Sequence, residues 1–302
     1  MRALVVDHAV PGRLRIDTVP DPVPEPDQVL VRIAAISLNF GELPRVDGDT
    51  PNGTIPGWDA AGVVERPAAS GRGPRVGERV VTFDWRGGWA ELRAVDVNEL
   101  AVLPDEVTFE QAATLPVAAV TALRALRRAE VVPGTRVGVT GAAGGVGTFA
   151  VQLAHLAGAH VSAFVGSPER GEGLSGYGAD RVLTDPAEAD APLDVVLDNV
   201  GGPLLTDLLG RLAPGGRVIA IGAASGERAD FSSYSLIGPE TSIIGFKRGG
   251  DSAADLAYVA RLVADGLLHA PVDWQADWTR VDEAITLLLG RRIRGKAVLT
   301  VS

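Results

Sequence analysis

The sequence predicts an α/β protein, a doubly wound parallel sheet joined to a second, β-rich domain. Three observations carry this. From about residue 105 to residue 245, short apolar strand patterns alternate with helical patterns, the signature of βαβ units on a parallel sheet. The first hundred residues instead hold strand-like runs set between Gly and Pro clusters. The chain then closes on one more strand-like run, 296–301, which predicts a return to the first domain. The expected domains are 1–116, 117–246 for the parallel sheet, and 247–302 for the returning segment. A length of 302 residues suits two cores better than one.

Each element has a local reason. Segment 29–36 is an apolar run with a single charge, Arg32, and 62–65 and 79–83 are shorter runs of the same kind. Four prolines within 20–26 remove donors and fix φ, so that stretch is an extended connector. Thr108-Phe109-Glu110-Gln111 has the hydroxyl-to-Gln spacing of a capping box and opens a helix. Segment 137–140 is the first strand of the sheet domain. The helix after it covers 146–157, with Val146, Ala150, Leu153, Ala154 and Ala157 on one face, and Gly158 ends it. Strands follow at 161–165, 194–198, 217–221 and 242–246, and their near-continuous Val, Ile and Leu fit strands covered on both faces. Helical patterns over 253–264 and 281–289 precede the closing strand.

Composition excludes several classes of function. Lys and Arg number 28 against 38 Asp and Glu, a net charge of −10, which argues against a nucleic-acid binder. Cysteine is absent, so there is no disulfide, thiol nucleophile or Cys-ligated zinc. The four histidines, His8, His155, His160 and His269, show no metal-ligand spacing. No run of 18 apolar residues predicts a membrane span, and residues 1–7 lack a signal-peptide core, so a cytoplasmic protein is expected.

The sharpest signal is 137–147, a strand that runs into a Gly-rich turn opening a helix. Gly141, Gly144 and Gly147 are spaced three apart. Without side chains the backbone can approach a pyrophosphate, and the helix start at Gly145 and Val146 offers unpaired N–H groups and a partial positive charge. In its strand–turn–helix context this is the dinucleotide fingerprint of a Rossmann domain; the alternative is a tight turn without a ligand. The end of the second strand, 165–170, reads Val-Gly-Ser-Pro-Glu-Arg. It lacks the carboxylate that holds a ribose 2′-hydroxyl. Ser167 can donate to a 2′-phosphate and Arg170 can pair with one, which makes NADPH the expected cofactor. Glu169 and Glu172 oppose that choice, and Arg170 read alone is a solvated surface charge.

Further motifs carry a family resemblance across nearly the whole chain. They are Ser37-Leu38-Asn39-Phe40-Gly41-Glu42, Pro56-Gly57-Trp58-Asp59 running to Val64, Gly87-Gly88-Trp89-Ala90-Glu91, and 115–122. Asp198-Asn199-Val200-Gly201-Gly202 and Gly295-Lys296-Ala297-Val298-Leu299 complete the set. Together they resemble the medium-chain dehydrogenase/reductase superfamily, in particular its zinc-free quinone oxidoreductase-like branch. The resemblance implies a GroES-like catalytic domain built from both chain ends around a Rossmann domain, with the active site in the cleft between them.

Zinc-dependent members carry Cys near the Asn39 position and Gly-His-Glu where this chain has Gly57-Trp58-Asp59. Without a metal, the Lewis acid that stabilises an alkoxide is missing. NADPH-dependent hydride reduction of a quinone or an α,β-unsaturated carbonyl is then the expected reaction. Phe40 stands where the family has Tyr and has no hydroxyl, so the proton must come from water or another group. Asn39 and Lys247 are the catalytic candidates. Asn39, Thr121, Asn199, Gly222, Phe246 and Lys296 join the turn residues as cofactor-binding candidates, with no metal ligand among them. A structural loop Asn and a solvated basic pair at Lys247-Arg248 are the plainer alternatives. Asp59 is expected to be structural, pairing with Arg292 or Arg294. Trp58 and Trp85 are read as pocket or core aromatics. The apolar strand 242–246 would be a sheet edge, suited to pairing in a homodimer. Two other readings stay open, an enoyl-thioester or polyketide-type enoyl reductase and a non-catalytic NADPH-binding protein.

Overall fold

The computed structural model describes residues 1–43, 48 and 50–302. The chain divides into two compact units, Met1–Val120 with Gly250–Ser302, and Thr121–Gly249.

The Thr121–Gly249 unit is built on six strands. Side by side they run Arg181–Leu183, His160–Phe164, Arg136–Thr140, Leu193–Asp198, Leu212–Ala220 and Ser242–Gly245. Every pairing is parallel. Numbered along the unit, the order is 3-2-1-4-5-6, that of the dinucleotide-binding doubly wound sheet. Helix Gly145–Leu156 is apolar nearly all round, and every residue from 147 to 154 is buried, as a helix covering a sheet face requires. Phe164, Leu193, Val196, Leu208 and Val218 form a core on the sheet. Because the strands are parallel, the loops that follow them all emerge at one sheet edge. That edge carries the Gly-rich turn and every other candidate from this unit except Thr121.

One strand is longer than its pattern predicts. Leu212–Ala220 begins five residues before the expected 217, because Pro214-Gly215-Gly216 interrupts the apolar run. The ladder shifts register there, between Leu193 and Val195 on the partner strand. Strand Ser242–Gly245 lies at the sheet edge, with Ile243 and Ile244 half-buried.

The other unit holds a seven-stranded sheet. Its path is Val272–Asp277, Lys296–Thr300, Gln28–Ser37, Asp59–Arg66, Arg79–Phe83 and Leu100–Val102, and Leu92–Asp96 also pairs with Gln28–Ser37. The closing strand Lys296–Thr300 runs antiparallel to Gln28–Ser37, so the chain's end completes the sheet of its beginning. Val31, Ile36, Leu38, Trp89, Trp278 and Leu299 pack its core. At Gly62 the chain needs a missing side chain, since a Cβ would lie 2.0 Å from the Arg32 carbonyl oxygen of the neighbouring strand. Thr108 and Gln111 form the predicted reciprocal cap. The helix it opens, Phe109–Ala113, widens into a π turn at Leu115–Ala119. Pro116 has no N–H, and the Val117 N–H leaves the helix ladder for Asp59 Oδ1 at 3.1 Å. Among the described residues no helix is long and apolar enough to cross a membrane.

Candidate active site

The Gly-rich turn follows the Arg136–Thr140 strand and starts helix Gly145–Leu156. The sequence permits the turn because side chains are missing where backbones meet. A Cβ at Gly147 would lie 2.3 Å from Gly141 O, and Gly141 itself sits at φ +59°. No side chain caps the helix, whose cap residue is Gly144. Its first N–H groups and the positive end of its dipole therefore face the turn. Thr148 Oγ1 pins the turn from beneath, donating to Gly144 O at 2.9 Å and Ala142 O at 3.2 Å.

The loops after the first and fourth strands lock together, at the position where strand order reverses. Thr140 Oγ1 donates to the buried Asp198 at 2.7 Å and accepts from Asn199 N at 2.8 Å. Asn199 Nδ2 donates to Thr140 O at 2.8 Å, and a Cβ at Gly222 would lie 2.8 Å from Asn199 O. Ala142 N reaches the end of the second strand at Phe164 O, 3.1 Å away. Gly141, Gly144, Gly145, Val146, Gly147, Asn199 and Gly222 thus share one sheet edge, the crevice where such sheets take a dinucleotide. This cradle, which a Cβ would fill, fits a pyrophosphate.

Ser167 and Arg170 lie past the second strand, in a short turn that Pro168 opens. The Ser167 hydroxyl donates to Glu169, holding that carboxyl below its usual range. A carboxylate therefore stands on the hydroxyl expected to meet a 2′-phosphate. Phe246 is half-buried and Lys247 exposed beyond the last strand. Thr121 is buried, at the start of helix Val120–Arg128.

Asn39 and Lys296 meet in the other unit, within a buried polar cluster. Lys296 Nζ donates to Asn39 Oδ1 at 2.5 Å and Leu38 O at 2.8 Å, and lies 3.5 Å from Asp59 Oδ2. Asn39 Nδ2 donates to Asp59 Oδ2 at 2.9 Å. An ammonium has only donors and a carboxylate only acceptors, so the Asn39 amide can sit only this way round. Glu42, also buried, accepts from Asn39 N at 2.5 Å and Trp58 N at 2.6 Å. Burial, with the Asp59 charge beside it, pushes the Glu42 carboxyl up to about 8, against Lys296 and the two N–H bonds. Burial pulls the Lys296 ammonium below its usual range, opposed by Asp59 and Glu42.

Asp59 lies beside Lys296, whereas Arg292 and Arg294, the arginines expected to pair with it, are exposed. The closing strand begins at Lys296, which is buried, and 292 and 294 precede it. The cluster does not fit a zinc ion. The ammonium already sits between Asn39 and Asp59, and the Trp58 indole has no lone pair to give a metal where the zinc-dependent pattern has His. Among the described residues no group of three or more His, Asp or Glu comes together as a metal set.

Sequence reasoning missed Glu42 and Arg93. The Asn39-x-x-Glu42 spacing is a capping pattern and was a usable signal. Arg93 reads as an ordinary strand charge, yet it is 2% exposed. Its Nη1 donates to Trp58 O and Thr82 Oγ1, both at 3.0 Å, and its Nη2 to Asp84 O and Arg86 O, both at 3.0 Å. Desolvation lowers the guanidinium to about 10, with Asp84 and Asp59 opposing.

Two family descriptions match the chain, "Alcohol dehydrogenase GroES-like domain" over residues 25–105 and "Zinc-binding dehydrogenase" over residues 145–265. The chain is 33% identical over 287 residues to polyketide synthase GfsB of Streptomyces halstedii, covering 92% of this chain and 5% of that one. It is 34% identical over 217 residues to the chloroplastic NADPH-dependent alkenal/one oxidoreductase of Arabidopsis thaliana, covering 66% of this chain and 56% of that one. The chain thus spans a small part of the first relative's length and about half of the second's. The solved quinone oxidoreductase of Coxiella burnetii superposes with a TM-score of 0.87 at 25% identity, covering 100% of this chain and 99% of that one.

Proposed function

The chain belongs to the medium-chain dehydrogenase/reductase superfamily of oxidoreductases, and from that premise we propose that it reduces quinones or α,β-unsaturated carbonyls with NADPH, without zinc. The observation that carries this reading is the Lys296 ammonium lodged between Asn39 and Asp59, where the zinc-dependent pattern places its metal ligands. A centre with a fixed protein cation and no open metal position suits hydride acceptors that need only hydrogen bonds to the developing oxyanion.

Gly141, Gly144, Gly145, Val146 and Gly147 hold the diphosphate, and Asn199, Gly222, Thr121 and Phe246 line the rest of the dinucleotide. Ser167 and Arg170 take the 2′-phosphate once the Ser167 hydroxyl turns away from Glu169. When bound, the reduced nicotinamide supplies the hydride. Lys296 and Asp59 hold the Asn39 amide in one orientation. One Nδ2 hydrogen goes to Asp59, and the second is the donor Asn39 offers to a substrate carbonyl oxygen. Lys247 adds an exposed positive charge at the carboxyl edge of the parallel sheet, where ligands bind. Glu42 keeps both oxygens on backbone N–H groups, so it holds the cluster and does not donate to substrate. Water delivers the proton that Phe40 cannot.

The polyketide synthase similarity favours a second reading, an enoyl-thioester reductase. The deciding experiment follows the nicotinamide absorbance band with NADPH and a panel of quinones, enones and enoyl thioesters. Oxidation with quinones or enones is expected. Oxidation with thioesters alone selects the second reading, and none with any acceptor contradicts both.

A further inference from the structure

Two loops of the Met1–Val120 unit carry large aromatic rings that the core does not enclose. Trp85 is 47% exposed and Trp58 half-buried. Their rings meet edge to face, with centroids 5.1 Å apart at 82°. Buried Phe83 braces Trp85 from beneath at 5.1 Å. A Cβ at Gly41 would come within 3.1 Å of the Trp58 ring, so that ring lies on bare backbone beside the exposed Phe40.

Arg93 holds both loops from inside. Its two terminal nitrogens reach the carbonyls of Trp58, Asp84 and Arg86, and Trp85 stands between the last two. Among the described residues none of its hydrogen-bond partners is a carboxylate. Burying a guanidinium on carbonyls is a costly way to close surface loops that polar turns could close unaided. The arrangement is explained if the angle between the rings matters. Glu42 ties the same wall to the centre, since its two oxygens accept from Trp58 N and Asn39 N.

We infer that Trp58 and Trp85 form the wall of a subsite for a flat conjugated ring, a bicyclic quinone, and that Arg93 is the positioning residue that fixes this wall. The inference deepens the reductase reading above and rests on it. A right-angled indole pair offers a flat ring one face to stack on and a second indole to stand against its rim. An open-chain enone or acyl thioester has no such faces to place.

Steady-state kinetics with NADPH compare 1,4-naphthoquinone and an open-chain enone for the wild type, Trp85→Leu, Trp85→Phe and Arg93→Lys. The chain has no cysteine for a quinone to alkylate. Trp85→Leu should raise KM for the quinone about tenfold more than KM for the enone, and Trp85→Phe should bring that ratio back to within about threefold of wild type. Arg93→Lys keeps the charge but loses the planar fork, and should move the ratio the same way by about threefold, with KM changing more than kcat. If Arg93→Lys does not fold, Thr82→Val removes one anchor of the guanidinium and takes its place. Equal changes for both substrates in Trp85→Leu overturn the wall, and an unmoved ratio in the Arg93 or Thr82 variant overturns the positioning role. Should the wild type reduce neither substrate, calorimetric titration with naphthoquinone alone decides. Saturable binding weakened by Trp85→Leu supports the wall while the reductase reading fails, and no binding overturns the wall as well.

Discussion

The Gly-rich turn and the Asn39–Lys296 cluster solve opposite problems. The turn is made by leaving side chains out, so that backbone N–H groups and a helix end are left open. Gly147 shows this, since a Cβ there would lie 2.3 Å from Gly141 O. The cluster is made by putting charges in. Lys296, Asp59, Glu42 and Asn39 are all buried, and each depends on another for its hydrogen bonds. A backbone site tolerates changes of pH and fails on added volume. A charged buried site tolerates little removal of charge and responds to pH.

Lys296→Met tests the second half of that contrast with the largest expected effect. Removing one partner leaves Asp59 buried and uncompensated, which should cost about 3–5 kcal/mol of stability in urea unfolding followed by tryptophan fluorescence. Adding Asp59→Asn should restore part of it, because the two changes share one interaction. Full additivity would show that the pair is not coupled. Gly147→Ala probes the turn. Overpacking of this kind costs about 1–3 kcal/mol, and NADPH affinity measured by calorimetry should fall at least about tenfold.

Glu42→Gln sharpens the comparison through pH. The folded state keeps the Glu42 proton up to about pH 8, whereas the unfolded chain releases it near 4.5. Between those values the folded protein binds more protons, so wild-type stability falls as pH rises. The variant should therefore gain on wild type across this window, by at most about 1.4 kcal/mol per pH unit. A constant difference would mean that Glu42 is ionised in the fold. Glu169→Gln carries the smallest effect. Freeing the Ser167 hydroxyl from a carboxylate should raise the preference for NADPH over NADH by about threefold in paired kinetics, as expected of an exposed charge.

The two regions also differ in how far the sequence revealed them. The turn was legible because what it needs is local: a strand, three glycines and a helix start within eleven residues, 137–147. The alternation of strands and helices gave the sheet for the same reason. The cluster was half legible. Asn39 and Lys296 were singled out, but not that they touch, because 257 positions separate them and only the closing strand joins them. The expected Asp59–arginine pair failed because the closing strand begins only at Lys296: 296 is buried in the sheet, whereas 292 and 294 precede the strand and are exposed. Arg93 was hidden because a charge in a strand looks the same from sequence whether it faces water or a ring of carbonyls.

The central proposal is that the Lys296 ammonium, lodged between Asn39 and Asp59, takes the place of a catalytic metal in an NADPH-dependent reductase. Protein dialysed against a strong chelator and assayed with NADPH and 1,4-naphthoquinone tests it most directly. Oxidation of NADPH at the rate of untreated protein is expected, with no gain on adding zinc. Loss of activity with the chelator and recovery with zinc would contradict the account.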